Sequence, residues 1–429
     1  MRWTVERTGV DVVAEADRRG TPRGQFWPWF AANVSVYGVT TGVYVVAGGL
    51  GWWQALVAIV LGVALSYPLL GLVAVAGARG GAPTMVLSRA AFGVHGNLLP
   101  GVANYLALVG WETLAVTLGA LSARTVLTRL GVAPGPALVI GFLLVAGLSI
   151  VLGVYGYDVI MRVHRWISVA LGVATVGYLA FALPGLGLPA SGGTAGIAHG
   201  AALVAAATGL GWVTGGADYS RYLPRTSPPR AVAGWTALGG ALPPLVLMAA
   251  GVLLTADPDL AAAAAVDPIG ALAARLPTWF LLPFLGAVLL SLVASGTLGV
   301  YSSGLTLQAL GVRIRRPVTV LVDGALVVAF GGYVVFGAPD FLGPWQTFLT
   351  ALGVMAAAWV GVFATDLLLH RRAGYATVEL DDPRGRYGRV NPAGVGALVL
   401  GAAAGFALGP AVAFALAAGL YAALTASAG

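Results

Sequence analysis

The 429-residue chain has no cysteine and no lysine, and only 9% of its residues are charged. Without cysteine there is no disulfide, no thiolate nucleophile and no thiolate-bound metal. Without lysine there is no Walker-type Gly-x-x-x-x-Gly-Lys-Ser/Thr, which argues against ATP-driven transport by this chain. Histidine is scarce as well: His95, His164, His199 and His370 stand singly, with no metal-ligand spacing. Neither a Gly-x-Ser-x-Gly elbow nor a His-Glu-x-x-His helix occurs. The formal charge of +7 comes from arginines placed almost wholly in short hydrophilic loops, a topology signal and not a nucleic-acid footprint.

What the chain has in abundance is apolar length. Hydrophobic residues make up 59% of it, in runs of about 20 that recur from end to end. At 1.5 Å per residue such runs cross a bilayer as helices, whereas a barrel would show shorter alternating segments. The expected fold class is an all-α polytopic membrane protein. Twelve spans are expected, near 26–49, 52–77, 97–123, 134–155, 163–186, 197–220, 231–255, 277–310, 317–337, 341–369, 393–409 and 410–427. Only Gly409-Pro410 separates the last two.

Loop charge sets the expected orientation. Loops after even-numbered spans carry Arg79 and Arg89, Arg162 and Arg165, Arg221, Arg225 and Arg230, then Arg313, Arg315 and Arg316, then Arg371 to Arg389. The opposite loops hold only Arg124, Arg129 and Arg275, together with the acidic Asp257, Asp259 and Asp267. Positive charge stays inside, so both termini are expected in the cytoplasm of an inner- or plasma-membrane protein. Residues 1–25 are polar and read as a cytoplasmic tail, with no cleavable signal peptide. Trp52, Trp53, Trp279 and Trp345, with Trp166 and Trp235, suit interfacial anchors.

Trp111-Glu112 departs from this pattern. Both lie deep in the third span, where an ionised carboxylate costs a few kcal/mol on insertion scales. Glu112 is either a protonated structural group or part of a midplane site, with Trp111 as stacking platform and Glu112 as polar contact or proton carrier. Asp158, Asp323 and Asp366 sit nearer predicted span ends, where charge can reach water.

Two spans carry glycines mixed with Val-Thr beside an aromatic, at residues 31–42 and 207–216. Glycine costs a helix interior about 1 kcal/mol per site, so these are either close-packing faces or broken helices. The two stretches lie five spans apart and run in opposite directions. That placement fits an inverted five-plus-five repeat, whose broken helices line a midplane cavity in secondary transporters. The repeats would cover 26–186 and 197–369, followed by a cytoplasmic loop at 370–392 and two accessory helices at 393–429.

Trp212, beside the second stretch, could sandwich a flat heterocycle with Trp111. The edge of such a ring would be met by Glu112, Asn33, Ser35 or freed backbone at Gly211. Asp218 and Arg221 close the sixth span as a latch or inner-gate contact. Ser291, Ser295 and Thr297 in the eighth span, with first-span backbone near Ala32, offer oxygens to Na⁺, or else the hydroxyls bond their own helix.

The run Gly211-Trp212-Val213-Thr214-Gly215-Gly216-Ala217-Asp218-Tyr219-Ser220-Arg221-Tyr222-Leu223-Pro224 resembles the sixth-span signature of nucleobase:cation symporters, in their purine–cytosine permease branch. Residues 77–96 leading to Gly110-Trp111, and Tyr301-Ser302-Ser303-Gly304 through Gly311, are similar to that family too. The resemblance runs in order from residue 25 to about 390. It implies a LeuT-like fold and uptake of a nucleobase or related planar ring, driven by H⁺ or Na⁺ without a cofactor. It also implies that Trp111 and Trp212 hold the ring, with a first-span contact between Asn33 and Ser35. The eighth span departs from the pattern: Gly299 and Ser295 stand where the family carries Asn, and Leu298 where it carries Pro. Losing an amide that reads a ring edge changes specificity strongly. The implied partners are a small heterocyclic substrate and membrane lipid, not nucleic acid. An amino-acid or amine transporter on the same fold is the alternative, since Glu112 suits a cationic amine. A membrane-embedded enzyme would need a cluster of acids or metal ligands, and none is found.

Overall fold

The computed structural model describes residues 5–188, 196–266, 268–337 and 342–426, all helix, turn and loop apart from one isolated bridge residue. Asp267 and the Trp345 side chain lie outside the described residues. Nine helices there are long and apolar enough to cross a membrane, and a bent pair makes a tenth.

That bent pair is the first span, α1 (Phe26–Asn33) and α2 (Val36–Ala47), which meet at 64°. Then come α3 (Trp52–Gly80), a short α4 (Thr84–Phe92), α5 (Leu98–Arg129), α6 (Pro134–Tyr155) and α7 (Tyr157–Ala182). The sixth span is assembled from α8 (Ile197–Ala207), α9 (Gly209–Trp212) and α10 (Gly216–Ser220), with a 3₁₀ turn at Val213–Gly215. It is followed by α11 (Pro229–Leu254), the short α12 (Pro258–Val266) and α13 (Pro268–Ala274), α14 (Leu281–Ala309), α15 (Arg316–Gly337) and α16 (Leu342–Leu369). The chain ends in α17 (Pro392–Leu408) and α18 (Pro410–Ala426), apolar helices of 17 residues each. These last two are shorter than the other spans, at the place where the sequence separates them by Gly-Pro alone.

Burial sorts the helices into centre and rim. The most apolar stretches of α5 and α14 are 61% buried, against 28% in α7 and 33% in α15. The rim presents apolar side chains such as Leu65, Val173 and Val176, as lipid contact requires. Trp53, Trp166 and Trp279 are exposed, while Trp235 packs edge-on against Phe26 with Arg23 over its ring.

The glycines of the first span turn out to be packing sites. A Cβ on Gly42 would stand 2.1 Å from the Met248 carbonyl oxygen, and one on Gly251 would stand 2.1 Å from that of Val39. The backbones of α2 and α11 therefore touch, the close approach that small residues permit in membranes. The break lies just ahead of them, at Val34 and Ser35.

The N-terminal segment is docked, not loose. Val13 N–H donates to the Gly81 carbonyl (2.8 Å) and Gly20 N–H to that of Tyr222 (2.9 Å). Buried Arg18 donates to the carbonyls of Val13 and Ala78. This segment lies across the arginine-rich end of the bundle.

Candidate functional site

Both broken spans turn the chain at the same depth. In the first, Ser35 is extended (φ −143°, ψ 146°) and its Oγ accepts from Tyr37 N–H at 3.2 Å, capping α2. In the sixth, Thr208 leaves the helical region (φ −127°, ψ −110°) and its Oγ1 donates back to the Val204 carbonyl. Gly209 follows because a Cβ there would sit 2.5 Å from the Ser66 backbone.

Between the breaks lies a chamber of about 60 Å³. Ala32, Asn33 and Ser35 line it from the first span, Trp111 from α5, Thr208 and Trp212 from the sixth span, and Ser295 from α14. Both tryptophans are wedged by perpendicular rings. Trp111 meets Tyr37 at 5.9 Å (80°) and Phe348 at 6.2 Å (76°), and Trp212 meets Trp29 at 5.8 Å (74°). Edge-to-face packing of this kind fixes ring orientation. Gly211 does not line the chamber: it borders a separate cavity of about 220 Å³ with Asn104 and Thr214, and its lack of a Cβ makes room for the edge of the Trp111 ring, which one would approach to 3.0 Å. Asn33 is already committed: its amide donates to the Trp29 carbonyl (2.8 Å) and accepts from Tyr67 Oη (2.6 Å). A larger cavity of about 520 Å³ lies towards the opposite end from the arginine-rich loops and shares Tyr37 with the chamber.

Glu112 does not line this chamber. Successive residues of an α-helix point about 100° apart, and Glu112 faces α14 and α15 instead. A Cβ on Gly299 would meet Glu112 Cγ at 2.7 Å and Oε1 at 2.9 Å. The missing side chain at 299 thus leaves the space that the Glu112 side chain fills. Beside it lies Asp323, fully buried and not near water as its position close to a span end suggests. Ser303 Oγ donates to Asp323 Oδ2 at 2.6 Å. Asp323 is the residue that reading the sequence missed: seven positions into α15 and close to three arginines, it looked like an interfacial charge.

Two of the three candidate hydroxyls of the eighth span are bound to their own helix. Ser291 Oγ donates to the Val288 carbonyl (2.8 Å) and Thr297 Oγ1 to that of Val293 (2.6 Å). Ser295 lines the chamber beside Ala32.

Asp218 and Arg221 are both buried at the arginine-rich end, but no ion pair joins them. Asp218 Oδ1 accepts from Thr84 N–H and Thr84 Oγ1, both at 2.8 Å, tying α10 to the start of α4. Arg221 pairs with Glu6 of the docked N-terminal segment (2.8 Å) and donates to Tyr301 Oη (3.0 Å). Tyr222 Oη also donates to Glu6, and Arg316 lies 4.0 Å from it. Burial pushes the Glu6 carboxyl up, yet Arg221 and Arg316 outweigh this and hold it below the usual carboxylate range. Near the end of α16, Asp366 is buried and not near water, pairing with Arg371 (3.0 Å) and accepting from Tyr421 Oη (2.9 Å), whereas Arg372 turns to a backbone carbonyl.

With this geometry in hand, the relatives can be placed. The family model described as a permease for cytosine/purines, uracil, thiamine and allantoin matches residues 12–423. A Bacillus subtilis protein whose name assigns it to the purine-cytosine permeases (YxlA) is 27% identical over 401 residues, covering 90% of this chain and 84% of its own. The structure is similar to that of Mhp1, a nucleobase-cation-symport-1 family transporter, in a closed conformation with bromovinylhydantoin bound. That match has a TM-score of 0.77 at 19% identity and covers 98% of this chain and 94% of the other. Against inward-facing Mhp1 the score is 0.69 at 18% identity, covering 99% and 95%. The fold is accordingly the LeuT-like one. A match over nearly the whole length, on an all-helical membrane fold, shows that the chain belongs to the family of permeases for cytosine/purines, uracil, thiamine and allantoin.

Proposed function

We propose that this permease is a secondary active importer of a nucleobase or related planar nitrogen heterocycle, coupled to a cation and working by alternating access. The observation that carries the reading is the chamber itself. Two wedged indoles from different halves of the chain line one small cavity at the meeting point of two helix breaks. Offset stacking on such rings contributes about 0.5–1.5 kcal/mol beyond area burial, and broken spans place capped backbone ends beside the ligand. Substrate contact is assigned to Trp111 and Trp212, with Ser35 and the second amide N–H of Asn33 at the ring edge.

Each repeat, 26–186 and 197–369, contributes one broken span to the chamber. The arginine-rich end is assigned to the cytoplasm, and with it the Glu6–Arg221 and Asp218–Thr84 contacts as closure on that side. The cavity that shares Tyr37 with the chamber is then the external approach. The higher similarity to the closed form of Mhp1 than to the inward-facing form supports a conformation closed at the arginine-rich end.

The chamber also speaks against the amine alternative. No carboxylate stands among the described lining residues to pair with a cationic amine, so Glu112 does not serve that reading. For the coupling ion we favour the proton, because Glu112 is a buried carboxyl that no arginine pairs with among the described residues. The test is uptake of radiolabelled cytosine, adenine, hypoxanthine, uracil and a hydantoin in a permease-deficient host. Accumulation of at least one ring is expected. Absence of all uptake, with the protein confirmed in the membrane, overturns the proposal.

A further inference from the structure

We propose that Glu112 and Asp323 form a single buried proton-binding site, a carboxyl pair that carries the coupling proton one helix face away from the substrate. This deepens the cation-coupled reading above and rests on it.

Glu112 is 2% exposed and Asp323 0%, so both carboxyl groups are cut off from water. They lie within mutual hydrogen-bonding reach, with Ser303 beside both and Tyr105 beside Asp323. Among the described residues neither is ion-paired with an arginine. Both Glu112 oxygens and Asp323 Oδ1 are buried and accept no well-formed hydrogen bond, with only the Ser303 and Tyr105 hydroxyls at hand. As two carboxylates neither can donate to the other, and two like charges in hydrocarbon surroundings are very costly. One proton removes both problems: it neutralises one group and forms an O–H···O bond to the other, leaving a single charge partly met by the Ser303 hydroxyl. Two carboxylates sharing a site hold a proton for this reason.

Among the described residues the neighbouring elements bring no arginine to the pair: Asp218 of α10 is tied to Thr84, and His164 of α7 is bonded to the Ile160 and Ala294 carbonyls. Within α5 and α14 the nearby titratable groups are Tyr105 and Tyr301, and the latter faces Arg221. Tyr219 of α10 acts at longer range and donates to the Leu298 carbonyl. Arg316 of α15 is turned to Glu6 and the Gly153 and Val154 carbonyls, and Asp366 of α16 is held by Arg371. The α6 helix carries no titratable side chain before Tyr155, and α13 carries none. Gly299 completes the site, because any side chain there would displace Glu112 from its partner. The balance is simple: one proton enters from one side of the membrane and binds the pair. It leaves to the other side once the helices reorient and water reaches the carboxyls.

Two experiments on the full-length protein in lipid test this. Infrared difference spectra between acid and alkaline pH should show a carboxylic C=O band that is lost or shifted in both Glu112→Gln and Asp323→Asn. A wild-type band unaltered by either substitution overturns the site. In proteoliposomes, the labelled ring found by the uptake panel is followed both by exchange without a gradient and by accumulation under a pH gradient. Asp323→Asn should lower proton-driven accumulation by about tenfold more than it lowers exchange. Equal loss of both, or wild-type accumulation driven by a sodium gradient alone, also overturns it. Wild-type protein that exchanges no ring at all defeats the importer reading instead, and the infrared result still decides whether the pair binds a proton.

Discussion

Trp111 and Glu112 are neighbours in the chain and strangers in the fold. The first faces a chamber between two broken spans, where rings and amide are already engaged with one another. The second faces a seam between α14 and α15, where three carboxyl oxygens accept no well-formed hydrogen bond. A chamber whose rings and Asn33 amide are held in advance keeps its shape. A seam with unmet acceptors suits the proton binding proposed above. One helical step separates the two jobs, so ring binding and proton binding can be coupled through α5 without sharing atoms.

That contrast can be broken most sharply at Trp111. Truncating Trp111→Ala removes one wall of the chamber and should weaken ring binding by about 3–4 kcal/mol, on the scale of tryptophan hot spots at binding sites. Equilibrium binding of the labelled ring checks this, and the infrared carboxyl band should stay unchanged. Next in size is Glu6→Gln, which leaves Arg221 buried without its partner at a cost on the order of 3 kcal/mol. Because the Glu6 carboxyl is held below its usual range, its contribution is present above the unfolded pKa and is lost as pH falls through the folded one. Hydrogen exchange of residues 5–20 should therefore rise in acid for the wild type, and already be raised at neutral pH in the variant.

A smaller effect, about 2 kcal/mol, is expected for Gly299→Asn, which forces a side chain into the space of Glu112. The double variant with Glu112→Ala should recover much of that loss in thermal stability. If it does not, the seam is not shaped by this pair of residues. Smallest is Ser35→Ala, which removes the cap on α2 at a cost of about 1 kcal/mol and should shift the melting temperature by only a few degrees.

The sequence reveals some of these features and hides others for definite reasons. Long apolar runs and arginine spacing make the helical fold readable, because hydrocarbon leaves few alternatives. The two tryptophans stand out for different reasons, Trp111 because it is too deep for an interfacial belt and Trp212 because it adjoins a glycine-rich break. The glycines beside the breaks mislead about location: Gly38, Gly42 and Gly209 serve contact with neighbouring backbone or side chains, while the turns fall at Val34-Ser35 and Thr208. The α14 hydroxyls could not be sorted because that helix is apolar on all sides, so periodicity does not say which face meets the chamber. Asp323 was hidden by its proximity to arginines in sequence, which turn elsewhere in space. Glu6 gave no signal at all, since a contact across 215 positions leaves no local pattern.

The docked amino end has a practical consequence. A single carboxylate six residues from the start holds an arginine of the sixth span and lies beside one that opens α15. A purification handle fused ahead of it would add bulk next to the contact proposed to shut the inner side.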